Sequence, residues 1–97
     1  MGSEIKRIEK EFILRNVEEQ RTPLEIHLSS ERLQAFIRSV TEQQLTLEFP
    51  DQVLPANLDA ITAYFRFRNN PMTFTAHVKE AQDNLLVISQ PEELFRD

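Results

Sequence analysis

The chain reads as a mainly β domain: a small, closed or nearly closed antiparallel barrel of six strands behind one N-terminal α-helix. Three observations predict this. Residues 61–78, ITAYFRFRNNPMTFTAHV, fold on themselves as a hairpin with one apolar face. Other segments alternate apolar and polar residues at the strand period. The strands are short and evenly spaced and glycine occurs once, at Gly2, which favours closure over an open sheet with two bare edges.

The hairpin is the firmest element. With Asn69-Asn70 at the tip, Phe67 faces Met72, Phe65 faces Phe74, Ala63 faces Ala76 and Ile61 faces Val78. Opposed residues of an antiparallel pair share a face, so this side is wholly apolar. The other side pairs Arg66 with Thr73, Tyr64 with Thr75 and Thr62 with His77. A slip of one residue would send the apolar set to the wrong face. Pro71 carries no N–H, so the tightest turn loses its closing bond and the tip is expected to open slightly.

The remaining elements follow in chain order. Residues 3–20 are predicted helical, with Ser3 as N-cap and Ile5, Ile8, Phe12, then Ile13 or Leu14, and Val17 near helical spacing. The docking face is read as Ile5, Ile8 and Phe12, and Thr22-Pro23 ends the helix. Leu24, Ile26 and Leu28 then alternate with Glu25, His27 and Ser29, giving the first strand. A second runs from about Leu33 to Thr41; Leu33, Ala35 and Ile37 lie on one parity and Phe36 and Val40 on the other, which predicts a bulge or burial on both faces. The third covers Gln44 to Phe49, the hairpin supplies two more after a loop over Pro50 to Asn57, and the sixth is Leu85 to Ser89. Ser89-Gln90-Pro91-Glu92 has the form of a helix start, a serine cap with proline in the first turn and glutamate at the capping-box position. The organisation expected is a helix over 1–22, the barrel over 23–90, and at 91–97 the beginning of a linker or helix, so that the chain reads as a fragment with a further domain beyond Asp97.

Composition excludes several function classes. The net charge of −5 argues against a surface that tracks phosphates. A single glycine leaves no glycine-rich phosphate loop. Cysteine is absent, which removes disulfide and thiol chemistry and accords with the cytoplasm. No apolar run approaches the roughly 20 residues of a membrane helix, and residues 1–12 carry no secretory apolar region.

Nothing in the text spells a reaction. His27 and His77 sit singly on polar strand faces with no partner at ligand spacing, so neither is read as a metal ligand or a catalytic base. The serines fall in turns, strand ends and a cap, and the carboxylates are dispersed. The one cluster that invites a ligand is Tyr64 with Arg66 and Arg68, since aromatic and arginine side chains on a barrel face can stack bases. A solvated face with arginine stems lying over the strands explains the same residues. The sequence therefore carries no enzyme, metal or cofactor assignment. It leaves open an interaction domain, a single-stranded nucleic-acid-binding barrel using Tyr64, Arg66 and Arg68, and a homo-oligomerisation module built on the helix.

From about Phe12 to Asp97 the chain resembles the N-terminal accessory domain of two-domain bacterial PilZ proteins, the flagellar-brake-like receptors of cyclic di-GMP. The resemblance rests on FILRNVEEQRTPLEIHL at 12–28, YFRFRNNPMTFTAHV at 64–78 and LVISQPEELFRD at 86–97. It implies a PilZ-like or split barrel, a PilZ domain following in the same chain, and a cytoplasmic, non-enzymatic role in cyclic di-GMP signalling, with that PilZ domain and a motility or signalling protein as partners. The ligand motifs of PilZ domains, RxxxR and [D/N]xSxxG, are absent: no arginine here has another four positions on, and no serine has glycine three positions on. The resemblance thus implies that cyclic di-GMP is held by the following domain, and no ligand residue carries over to this segment.

Overall fold

The computed structural model describes residues 3–4, 7–28, 31–50, 54 and 58–96. Their elements are β1 (Ser3–Glu4), α1 (Arg7–Glu19), β2 (Leu24–His27), β3 (Arg32–Val40), β4 (Gln44–Glu48), β5 (Ala60–Phe67), β6 (Asn70–Gln82), β7 (Leu85–Ser89) and β8 (Phe95–Arg96). Six strands form the expected barrel, in the order β6-β5-β2-β3-β4-β7 and back to β6, all antiparallel. The short strands β8 and β1 extend the sheet outward from β6. Burial alternates along β2, β4 and β7, so each strand presents one face to the interior.

Closure rests on two bulges. In β3 the register against β4 shifts between Ile37 and Ser39, leaving Arg38 as the extra residue. This is the bulge that the two parities of apolar residues predicted: Leu33, Ala35 and Ile37 are buried before it and Val40 turns inward after it. In β6 the shift falls between Val78 and Glu80, at Lys79. An extra residue bends its strand and increases the local twist, and closure of a sheet needs such bends. Both extra residues are charged and exposed.

The hairpin has the predicted faces but a different register. Ile61 pairs with Ala76, Ala63 with Phe74, Phe65 with Met72, and Phe67 with Asn70. The turn is Arg68-Asn69, with φ of 51° and 66°, the positive values of a type I′ turn. Pro71 explains the shift. With the tip at Asn69-Asn70, the closing pair would be Arg68 and Pro71, and Pro71 has no N–H to give. With the tip one residue earlier, Asn70 closes the turn and Pro71 opposes Arg66 in a non-hydrogen-bonded pair, where its nitrogen points away from β5. The shift moves each partner by two residues, so the faces survive while the partners change. Phe67, expected on the buried face, ends at the rim and is only partly buried.

The helix starts later than predicted. Residues 3 and 4 form β1 against β8 (Ser3 opposite Arg96, Glu4 opposite Phe95), so Ser3 does not cap α1. The buried face of α1 is Ile13, Leu14 and Val17. Phe12 is 53% exposed. At about 100° per residue it stands roughly 150° round the helix axis from the centre of that face, on a second stripe that the text of the sequence merges with the first. Ile5 and the Ile8 side chain lie outside the described residues. The helix ends before Pro23 through its own backbone: Arg21 takes the left-handed conformation (φ 51°), Arg21 N–H donates to Glu18 C=O (3.2 Å) and Thr22 N–H to Val17 C=O (3.1 Å), the two bonds of a Schellman motif.

The C-terminal segment forms no helix. Leu94 is fully buried and Phe95–Arg96 pairs with β6 and β1. Burial of Pro91 and Leu94 outweighs the local capping signal, as tertiary contacts override propensity. A side chain fixes the segment to the helix: Lys10, 7% exposed, donates from Nζ to the Pro91 carbonyl at 2.7 Å.

Three measurements check this account. Hα–Hα NOEs should join Tyr64 to Thr73 and Thr62 to Thr75; contacts of Tyr64 with Thr75 instead would restore the register the sequence suggested. In urea titrations, Phe74→Ala should cost about 3–5 kcal/mol and Arg66→Ala no more than about 0.5 kcal/mol. Lys10→Met leaves the Pro91 carbonyl without its donor. It should cost about 1–3 kcal/mol and speed amide exchange at residues 95 and 96, whereas unchanged exchange would show that the bond does not hold β8.

Candidate interaction surfaces

The alternation of β2, β3, β5 and β6 sends one set of side chains to the core and leaves a polar set outside. Register then assembles that outer set. Glu25 lies between Gln34 of β3 and Tyr64 of β5, and His27 between Arg32 and Thr62. Tyr64 in turn opposes Thr73 of β6, and Thr62 opposes Thr75, their hydroxyls 3.4 Å apart. A groove of about 650 Å³ opens here, bounded by Glu25, Arg32, Tyr64 and Arg66 and by the apolar Leu24, Leu33, Phe65 and Met72.

Several of its polar groups engage one another or the neighbouring His27. The His27 and Tyr64 rings pack with centroids 4.3 Å apart at an interplanar angle of 42°. Glu25 Oε1 stands 3.5 Å from His27 Nε2 and 3.9 Å from Arg32 Nη1. His27 Nε2 is buried and makes no hydrogen bond, the Glu25 approach being too long and poorly directed for one. Arg66 Nη1 donates to the Asn69 carbonyl at 3.3 Å, tying its guanidinium to the turn. One carboxylate among the guanidinium groups lowers the positive potential that a phosphate-binding groove requires.

The three residues that the sequence grouped do not stay together. Tyr64 and Arg66 line the groove. Arg68 occupies the turn and lays its guanidinium over two rings, Phe67 at 5.1 Å and Phe12 at 5.7 Å from the centroids. Those rings meet edge to face at 6.2 Å and 89°. The hairpin tip therefore carries a second surface, a cation over an aromatic pair, that hydropathy along the chain does not announce, because its parts come from α1, the end of β5 and a turn. Phe67 next to Arg68 at a tight turn is the local trace of it.

A second cavity, of about 410 Å³, lies between β6 and the segment leading to β8, bounded by Thr75, His77, Ser89, Gln90, Glu92 and Glu93. The backbone N–H of His77 donates there to Ser89 Oγ at 3.2 Å. Among the described residues, no three His, Cys, Asp or Glu side chains are grouped to hold a metal ion, and no helix is long and apolar enough to cross a membrane.

No family model and no curated protein matches this sequence. Two solved structures match its fold. One is the crystal structure of the YcgR-N domain of YcgR from Escherichia coli, 19% identical, with a TM-score of 0.74 over 93% of this chain and 89% of that one. The other is YcgR from Escherichia coli in complex with c-di-GMP, 20% identical, with a TM-score of 0.75 over 97% of this chain. The present chain spans 46% of the length of that longer protein. The barrel with its N-terminal helix thus has the fold of the YcgR-N domain, as the sequence resemblance implied.

Proposed function

We propose that this chain is the regulatory, non-enzymatic accessory domain of a PilZ-type, cyclic di-GMP-responsive protein. The observation that carries the reading is the match of 97% of this chain to part of a structure holding c-di-GMP, while 46% of that protein's length is enough to account for the match. The ligand is then the business of a PilZ domain in the remainder of the protein. The reading brings with it a cytoplasmic setting and two kinds of partner, the PilZ domain itself and a motility or signalling protein.

The side-chain chemistry supports this division. Dinucleotide phosphates are gripped by forked arginine contacts. Of the two arginines that the sequence offered, Arg66 is bonded to the turn, and Arg68 lies over Phe67 and Phe12, away from the groove. The same facts weaken a nucleic-acid-binding barrel, whose stacking groove needs Tyr64 flanked by free cations. The other alternative, a helix-mediated oligomer, loses its main apolar stripe, since Ile13, Leu14 and Val17 are buried in this chain's own barrel. Regulation would operate through domain arrangement: ligand bound by the PilZ domain shifts the pair only as far as its affinity differs between two arrangements.

Titration calorimetry tests the reading. The 97-residue chain should show no saturable binding of cyclic di-GMP at physiological salt, and the longer protein that contains it should bind. Weak association that disappears with added salt is generic electrostatics and fits the reading. Saturable binding by the chain alone, abolished by Arg66→Ala, would make this barrel a receptor in its own right and overturn it.

A further inference from the structure

The hairpin tip presents an unusual surface for an acidic domain. Phe12 is the one large apolar side chain exposed among the described residues, at 53%. It is not a loose ring: Phe67 meets its edge at 6.2 Å, and the Arg68 guanidinium spans both. Arg15, exposed and three positions on along α1, lies on the same side of the helix as Phe12. A rigid aromatic pair flanked by guanidinium groups is the composition enriched at the centres of protein interfaces.

We propose that Phe12, Phe67 and Arg68 are the seat on which the domain following this one in the chain docks, and that the docking surface is apolar with carboxylates. The proposal rests on the reading that a PilZ domain follows. Chain direction supports this occupant. The strand β8 runs antiparallel to β6, with Phe95 opposite Thr73 and Arg96 opposite Met72, so it heads toward the turn at Arg68-Asn69. A continuation in that direction passes the seat within a few residues, at about 3.3 Å per residue of extended chain. The exit is also anchored, because Lys10 of α1 holds the Pro91 carbonyl on the approach to β8. Charge argues against a second copy of the chain as occupant. A two-fold contact places the same patch on both sides, which would bring two patches carrying Arg68 and Arg15 together. The aromatic pair calls for apolar cover, and Arg68 and Arg15, without an ion pair among the described residues, call for carboxylates beside it.

The test is hydrogen exchange on the intact longer protein, compared with the 97-residue chain alone. Amides of residues 66–70 should exchange at least about tenfold more slowly in the longer protein. Phe12→Ser and Arg68→Glu, introduced singly into the longer protein, should each restore the faster rates while the amides of β2 and β4 stay protected. Phe12 is exposed, so its replacement keeps the fold; protected strand amides in both variants confirm that. Equal rates at the tip in the two lengths of chain would overturn the proposal. So would protection that grows with the concentration of the short chain, which means self-association, or protection that needs a separate added protein. Calorimetry with cyclic di-GMP on the same samples separates this proposal from the one it rests on. No dinucleotide binding by the longer protein removes the receptor reading, whereas binding with an unprotected tip removes only the seat.

Discussion

The structure depends on one strand being paired along both flanks. The strand β6 takes β5 along residues 70–77 and β7 along residues 78–82, and that double pairing turns an open sheet into a barrel. Its 13 residues are too many for a straight strand of so small a barrel, and the bulge at Lys79 lets it turn from one partner to the other. The interior then fills with aliphatic and aromatic side chains from every barrel strand, including Ile26, Ile37, Leu45, Phe65, Phe74 and Ile88. Burial of each contributes about 1.5–3 kcal/mol. The helix closes the assembly with Ile13, Leu14 and Val17.

Near-absence of glycine shapes how the turns are made. Four described residues with side chains take positive φ: Arg21, Arg68, Asn69 and Asp83. Each such residue costs on the order of 1 kcal/mol or more in backbone strain. Asparagine and aspartate tolerate the conformation through short polar side chains, but arginine does not. Both arginines recover part of the cost through their long side chains. Arg21 lies over the Phe36 ring at 4.7 Å and reaches Glu48 at 3.9 Å; Arg68 covers Phe67 and Phe12. The same two contacts shield aromatic rings that would otherwise face water. At the hairpin tip this shielding is incomplete, and that is the origin of the exposed patch.

The sequence was legible where a period of two or a change of parity governed the outcome. The hairpin faces, the bulge in β3 and the strand spans around Leu24, Gln44 and Leu85 follow from alternation alone. It was illegible where two signals overlapped or where distant residues decided. The helix carries two apolar stripes, and only rotation about its axis separates Phe12 from Ile13, Leu14 and Val17. The hairpin register turned on which residue could donate the closing hydrogen bond, a choice that Pro71 makes for Asn70. The capping signal at Ser89-Gln90-Pro91-Glu92 is sound local chemistry, yet a pocket for Leu94 and a strand partner for Phe95 prevail over it. The candidate site shows the same limit: Tyr64, Arg66 and Arg68 are neighbours in sequence, and backbone conformation at the turn parts the third from the other two.

That parting bears on what such a barrel can do. A groove that recognises a charged ligand needs donors held ready and unmatched, because binding must repay the desolvation of every group it covers. Here Glu25, His27 and Arg32 face one another, Arg66 is bonded to a carbonyl, and the Tyr64 ring is packed on His27. The groove joins apolar walls, among them Leu24, Leu33, Phe65 and Met72, to a few polar groups that mostly contact one another. The hairpin tip differs: an exposed ring, Phe12, rests against the half-buried Phe67 with a cation over both. Polar groups that contact one another contribute solubility, while an exposed ring packed against its neighbours needs little further ordering when a surface closes over it. On the proposed reading, the balance of these two surfaces suits a domain that works by contact with another folded unit.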